Sequence, residues 1–213
     1  MNEPDILVNV ASSIYVLDGF QNLDNSIFLR LSGPAAAPVR VFLPSRYRKA
    51  VAEYRAAKTR ATLRRHDCRR PLPFGDGTVG HILCSHFLEH LAPREMQVAL
   101  TDFMRVLRPG GSAHVVLPDL GLQVNQYVEG ELDADGFIRG LMLRPETESW
   151  RYRLMEMKGG FGLAHRWMYD ASTARRRLDD VGFQVVGTLD TPSSSFRADD
   201  GESLHLYGIK PSL

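Results

Sequence analysis

The stretch HDCRRPLPFGDGTVGHILCSHFLEHL, residues 66–91, and the FMRVLRPGGSAHVVLPDL that follows at residues 103–120 decide how the chain folds. Val79 to Cys84 is a short, nearly continuous apolar run, as expected of a strand buried on both faces. The turn-rich connection Leu72-Pro73-Phe74 and Gly75-Asp76-Gly77 leads into it. Pro93 suits the first turn of a helix running to about Leu107, because its missing N–H is not needed there. Met96, Ala99, Leu100, Phe103 and Leu107 recur at helical spacing and form one stripe facing a core. Pro109-Gly110-Gly111 stops that helix, and Ala113 to Leu117 makes a further strand closed by Pro118-Asp119.

The same alternation extends outward in both directions. Ile6 to Val10 reads as a buried strand, and Gly19 to Asp24 as a turn feeding a second one. Ser45 to about Thr59 reads as a helix with Tyr47, Ala50, Val51 and Tyr54 on one face. Residues 123–157 are mixed and mostly helical, and 123–169 is expected to cover a substrate pocket. Asp170 is placed to cap a helix through Leu178 and Val181, with Gly182 as its stop. Phe183 to Val186 and Leu204 to Ile209 complete the strands, with a polar connection over Thr191 to Gly201. Strands alternating with helices, then two strands close together, predict a doubly wound α/β fold. Its sheet is mostly parallel, with an antiparallel C-terminal edge, in one domain over residues 1–213.

Composition narrows the function. A chain of 213 residues can bury a full core without a disulfide or metal staple. A net charge of +1 excludes a globally basic nucleic-acid binder but leaves local patches open. Cys68 and Cys84 are too few for a disulfide framework and lack zinc-knuckle spacing, so no metal is expected. The start, MNEPDILVNVASS, is acidic where a signal peptide would be basic, and no run is long enough for a membrane span. A soluble, cytoplasmic protein is the expectation.

Four blocks in order carry a resemblance: VNVASSIYVLDGFQNLDNS (8–26), the two quoted above, and HRWMYDASTARRRLDDVGF (165–183). Together they resemble the class I S-adenosylmethionine-dependent methyltransferases, whose sheet has seven strands. More narrowly, they resemble bacterial methyltransferases associated with sugar and polysaccharide pathways. The resemblance implies S-adenosylmethionine as cofactor, bound beyond the carboxyl ends of the strands where strand order reverses. Val10 and the following Ala11-Ser12-Ser13 would lie beneath it. Asp24 would accept hydrogen bonds from the ribose hydroxyls, and Asp67, with neighbouring Cys68, would meet the adenine. The chain departs from the family at two places. Ala11-Ser12-Ser13 replaces a glycine-bearing loop, and Gly80 stands where relatives carry an acid at the start of the fourth strand.

Ser85-His86-Phe87-Leu88-Glu89-His90 follows the fourth strand, where the transferred methyl group lies in this fold. Methyl transfer is an in-line displacement, so the enzyme mainly aligns the acceptor. A hydroxyl acceptor also benefits from a base, and histidine suits neutral pH. His86 is the first candidate and His165 the second, with Asp119 to orient an imidazole or the acceptor. The alternative reading makes both histidines hydrogen-bonded residues that hold loops together; Glu89 and His90 are expected to cap or brace the following helix. His86-x-x-Glu89-His90 also fits the H-x-x-E-H zinc-peptidase signature. A strand directly before it, Pro93 directly after it, and no supported third ligand among Glu131, Glu146 and Glu148 count against that reading.

Ten cations between Arg46 and Arg70 stand against Glu53 and Asp67. This field could attract a phosphate-bearing small molecule, while aromatics are not interleaved as a nucleic-acid binder requires. Trp167 is expected to pack in the interior, although it or Tyr169 could stack on a substrate ring. The sequence thus predicts methyl transfer to a saccharide hydroxyl, with a catalytically weakened binding module as the rival.

Overall fold

In the computed structural model the described residues are 5–143, 164–188 and 201–212. Seven strands form one sheet in the order β3-β2-β1-β4-β5-β7-β6. They are β1 (Ile6–Val10), β2 (Phe20–Asp24), β3 (Leu63–Arg65), β4 (Val79–Ser85), β5 (Leu107–Pro118), β6 (Gln184–Thr188) and β7 (Ser203–Ile209). β1 pairs in parallel with both β2 and β4, and β7 runs antiparallel to β5 and β6. The chain leaves β1 toward one edge and returns beside it as β4, so the strand order reverses between those two. Val8, Val10, Ile82 and Cys84 are fully buried there, which accounts for the unbroken apolar runs.

Among the described residues the helices are α1 (Ile27–Leu31), α2 (Ala37–Arg40), α3 (Ser45–Arg60), α4 (Pro93–Val106), α5 (Leu120–Val128), α6 (Ala134–Leu141) and α7 (Ala171–Asp179). On α4, Met96, Ala99, Leu100, Phe103 and Val106 are all buried, as the stripe in the sequence predicts. On α3 the buried face runs Val51, Tyr54 and Ala57, one turn further on than Tyr47. Asp170 caps α7 by accepting from the Thr173 N–H at 2.7 Å. Sequence reading missed β3 and the short α1 and α2, which carry too few residues to show a period. The 191–200 connection and all of 144–163, with Glu146 and Glu148, lie outside the described residues. Among the described residues no helix is long and apolar enough to cross a membrane.

Two local arrangements explain unusual residues. An ideal Cβ on Gly80 would sit 2.5 Å from Asp5 Cγ, so only glycine fits there. Asp5 forms a two-pronged ion pair with Arg108, at 2.8 and 2.7 Å. The carboxylate near the start of β4 therefore comes from the segment before β1, not from position 80. Arg105, pairing with Asp102 and Asp76, also donates to the carbonyls of Leu72 and Phe74. That fixes the Leu-Pro-Phe turn onto α4.

Against β7 lies a buried histidine pair. Nε2 of His114 and Nδ1 of His205 are 3.0 Å apart, and Tyr207 Oη is 3.1 Å from His114 Nδ1. Tyr207 can donate to His114, which then donates to His205, a chain that needs neutral His114. Burial, with the neighbouring His205 second, pushes the His114 pKa down to about 3. An unfolded histidine titrates near 6.5, so the unfolded chain binds the extra proton first. The His114 contribution is complete above about pH 6.5 and is lost as pH falls toward about 3. Equilibrium unfolding at stepped pH should show this slope, and His114→Gln should flatten it.

Candidate active site

At the carboxyl ends of β1 and β4 opens a cavity of about 340 Å³. One wall is Asn9, Ala11, Ser12, Ser13 and Tyr15; the other is Ser85, His86, Glu89 and His90, with Met142 and His165 closing over. Open sheets bind ligands at such a reversal because no helix can cover the gap between diverging connections. A larger cavity, about 580 Å³, lies between Cys68–Pro71 and the outer side of α4. It shares no residue with the first and lies off the strand ends, so the smaller cavity is the candidate site.

The β1 loop turns sharply. Ala11 and Ser13 hold φ of 52° and 51°, the left-handed region that glycine adopts without strain. Ser12 N–H donates to Leu23 O at 2.8 Å, and Ser13 N–H to Asp24 Oδ2 at 3.1 Å. Asp24 Oδ1 accepts from Ser26 N–H at 2.7 Å and from the Tyr54 hydroxyl at 3.1 Å. Burial, followed by the Asp24 charge, pushes the Tyr54 pKa up to about 12, so its proton stays in place. Asp24, only 8% exposed, thereby ties the tips of β1 and β2 to α3.

On the opposite wall, the 3-10 turn Leu88–His90 follows His86, which itself holds φ of 51°. Glu89 has 0% exposure. Its Oε1 lies 3.3 Å from His86 Nδ1, but neither carboxylate oxygen accepts an aligned hydrogen bond. The Glu89 carbonyl accepts from the N–H groups of Arg166 and Trp167, which draws the 164–170 segment over the turn. His90 Nδ1 is 3.0 Å from Ala164 O, and His165 Nδ1 is 3.0 Å from Leu141 O. Burial lowers the His165 pKa.

Residues 33–115 match the family described as a methyltransferase domain. Solved structures of similar shape include a Methanosarcina mazei protein titled a SAM-dependent methyltransferase. It is 16% identical at a TM-score of 0.54, over 100% of this chain and 95% of its own. A chain from the complex of the Haloferax volcanii Trm112 methyltransferase activator with a methyltransferase is 15% identical. Its TM-score is 0.51, over 100% of this chain and 85% of its own. Magnesium protoporphyrin IX methyltransferase of Synechocystis, solved with bound SAH, is 12% identical at 0.50, over 96% and 74%. No curated protein matches the sequence. This is the class I methyltransferase fold. The methyltransferase-domain match at residues 33–115 falls within that fold.

Against the methyltransferase fold, the residues singled out in sequence divide into two groups. Ala11, Ser12, Ser13, Ser85, His86 and His165 line one cavity. Val10, fully buried, supports it from below. Asp24 stands behind the loop, bonded to it. Asp67 faces Arg69, whose Nε and Nη2 donate to it at 2.9 Å each. That hydrogen-bonded guanidinium holds the Asp67 carboxyl below the usual range. Cys68 is buried behind it, its thiol pushed by burial to about 12. Asp119 caps α5, accepting from Gly121 N–H at 2.8 Å, and does not line the cavity. Glu89 is the carboxylate beside the imidazoles.

Two side-chain expectations are corrected. Glu89 and His90 do not brace the following helix; Glu95 caps α4 by accepting from Ala92 N–H at 2.8 Å. Trp167 is 47% exposed, whereas Tyr169 is buried with its hydroxyl pushed to about 12 by desolvation. The sequence offered Glu89 only as a helix brace or as part of the discounted peptidase motif, although a charge inside the apolar run Phe87-Leu88-Glu89-His90-Leu91 was the available signal for a site role. H-x-x-E-H also lacks the long helix a peptidase site would need, since only the 3-10 turn carries it.

The strained β1 loop is testable. A left-handed residue with a Cβ costs about 1–2 kcal/mol, partly offset by the extra chain entropy of glycine. Ala11→Gly should therefore raise unfolding free energy by up to about 1 kcal/mol, read as a higher denaturant midpoint at unchanged slope.

Proposed function

We propose that the protein transfers the methyl group of S-adenosylmethionine to a hydroxyl of a small molecule, most simply a saccharide or sugar-bearing metabolite. The observation that carries this is the split lining of the cavity, with the β1 loop on one side and three imidazoles beside a carboxylate on the other. The adenosyl portion lies over Ala11-Ser12-Ser13 and reaches past the strand tips, with Asp24 on the ribose side and the Asp67-Cys68 segment on the adenine side, all three residues lying outside the cavity lining itself. The sulfonium faces Ser85. The acceptor approaches from the His86, His90 and His165 side.

In this reading Glu89 stands beside His86 Nδ1 and favours the proton there, so His86 takes the hydroxyl proton on Nε2, where the acceptor hydroxyl displaces the Ser203 hydroxyl that lies 3.4 Å away. The acceptor oxygen forms a bond to the methyl carbon as the carbon–sulfur bond breaks. That electron pair stays on sulfur, giving a neutral thioether. No lysine or arginine lines the cavity among the described residues, which supports a neutral acceptor over a phosphate-bearing one. The saccharide assignment itself rests on the sequence resemblance.

Calorimetry with S-adenosylhomocysteine is expected to show one site per chain, together with a rise in melting temperature. Asp24→Asn should weaken that binding by about 10- to 100-fold, as the loss of a hydrogen bond to a charged group implies. His86→Ala should leave the affinity intact while abolishing turnover. A folded protein giving no heat with millimolar ligand would instead support a binding module.

A further inference from the structure

We propose that Glu89, His90 and His165 form a binding site for a divalent first-row transition-metal ion on the acceptor side of the cavity. A ligand atom from each of the three lies within 4.8 Å of the other two, two of the residues being buried. Small side-chain rotations bring such a set to about 2.1 Å from a shared ion.

Three further observations point the same way. Glu89 is completely buried, and neither carboxylate oxygen accepts a hydrogen bond. A buried carboxylate without donors is costly unless a cation compensates it. Among the described residues no lysine or arginine lines this cavity to do so. Next, the two imidazoles are already set as ligands. A carbonyl oxygen can only accept, so His90 donates Nδ1–H to Ala164 and His165 donates Nδ1–H to Leu141. Each ring then presents its Nε2 lone pair, the arrangement that backbone carbonyls impose on metal-bound histidines. Finally, the set is incomplete as a closed site. Two imidazoles and a carboxylate leave coordination positions open to the cavity. The backbone bonds from Arg166 and Trp167 to the Glu89 carbonyl bring His165 to this place from 75 residues further along the chain, so the set is assembled by the fold.

The rival account is a purely electrostatic one, in which protonated His86, 3.3 Å from Glu89 Oε1, balances the carboxylate. His86 neighbours the set without belonging to it, so the two accounts differ in what His86→Ala does. Resting on the hydroxyl-acceptor reading above, the ion would bind the acceptor oxygen and lower its pKa, so that His86 removes the proton more readily.

The test begins with full-length protein stripped by a chelator and dialysed. Titration with Co²⁺ should give visible d–d absorption saturating at one ion per chain, and Zn²⁺ should displace it. Glu89→Gln and His165→Ala should each weaken binding by at least the roughly 10- to 100-fold that loss of a mere supporting residue costs. His86→Ala should bind as before. If either ligand variant fails to fold by circular dichroism, the wild type decides by NMR: the ring signals of His90 and His165 must be the first to shift with Co²⁺. No Co²⁺ or Zn²⁺ binding by the folded wild type would overturn the proposal. So would stoichiometric binding indifferent to both ligand variants, or first shifts at His81, His114 or His205. Binding of S-adenosylhomocysteine to the stripped protein is measured in parallel. Its loss would count against the methyltransferase reading and not against the metal site.

Discussion

Parallel pairing of β1 with both β2 and β4 obliges the chain to leave the sheet in two directions from neighbouring strand ends. The connections after β1 and β4 must diverge, and the gap they leave cannot be closed by either helix layer. The rest of the molecule serves that constraint. The Arg105 cluster holds the turn into β4, α4 buries one sheet face with a single stripe, and Asp24 knots the tips of β1 and β2 together.

The loop after β1 shows how backbone geometry and chemistry separate. Its left-handed residues are what a glycine would supply, yet alanine and serine hold them here. They are held by hydrogen bonds to Leu23 and Asp24, so the tertiary setting sustains the strain. Gly80 is the converse case, where a missing side chain reflects a carboxylate arriving from elsewhere in the chain. In both places the local departure from the family pattern is matched by a compensating contact, and the cleft keeps its form.

The two cavity walls differ in character. The serine-rich side offers backbone and small hydroxyls, suited to a large polar ligand lying across it. The imidazole side concentrates proton-accepting groups around one buried carboxylate. A buried charge of this kind makes the local chemistry sensitive to whatever cation or proton accompanies it. Glu89 is the residue on which the acceptor side turns, and its backbone carbonyl also anchors the segment carrying His165.

By itself the sequence determined the alternation of strands and helices, the α4 stripe, the Asp170 cap and the class of fold. These depend on periodicity and turn chemistry, which act over a few residues. It also marked Ala11, Ser12, Ser13, Ser85, His86 and His165 as site candidates, all of which line one cavity. Only the tertiary structure decided that Asp67 faces Arg69, that Asp119 caps α5 and that Trp167 is exposed while Tyr169 is buried. The same holds for the meeting of Glu89 and His90 with His165. The partner of a side chain is set by whatever the fold brings within about 3 Å of it, and for Glu89 that neighbour comes from a distant segment whose approach no local pattern encodes.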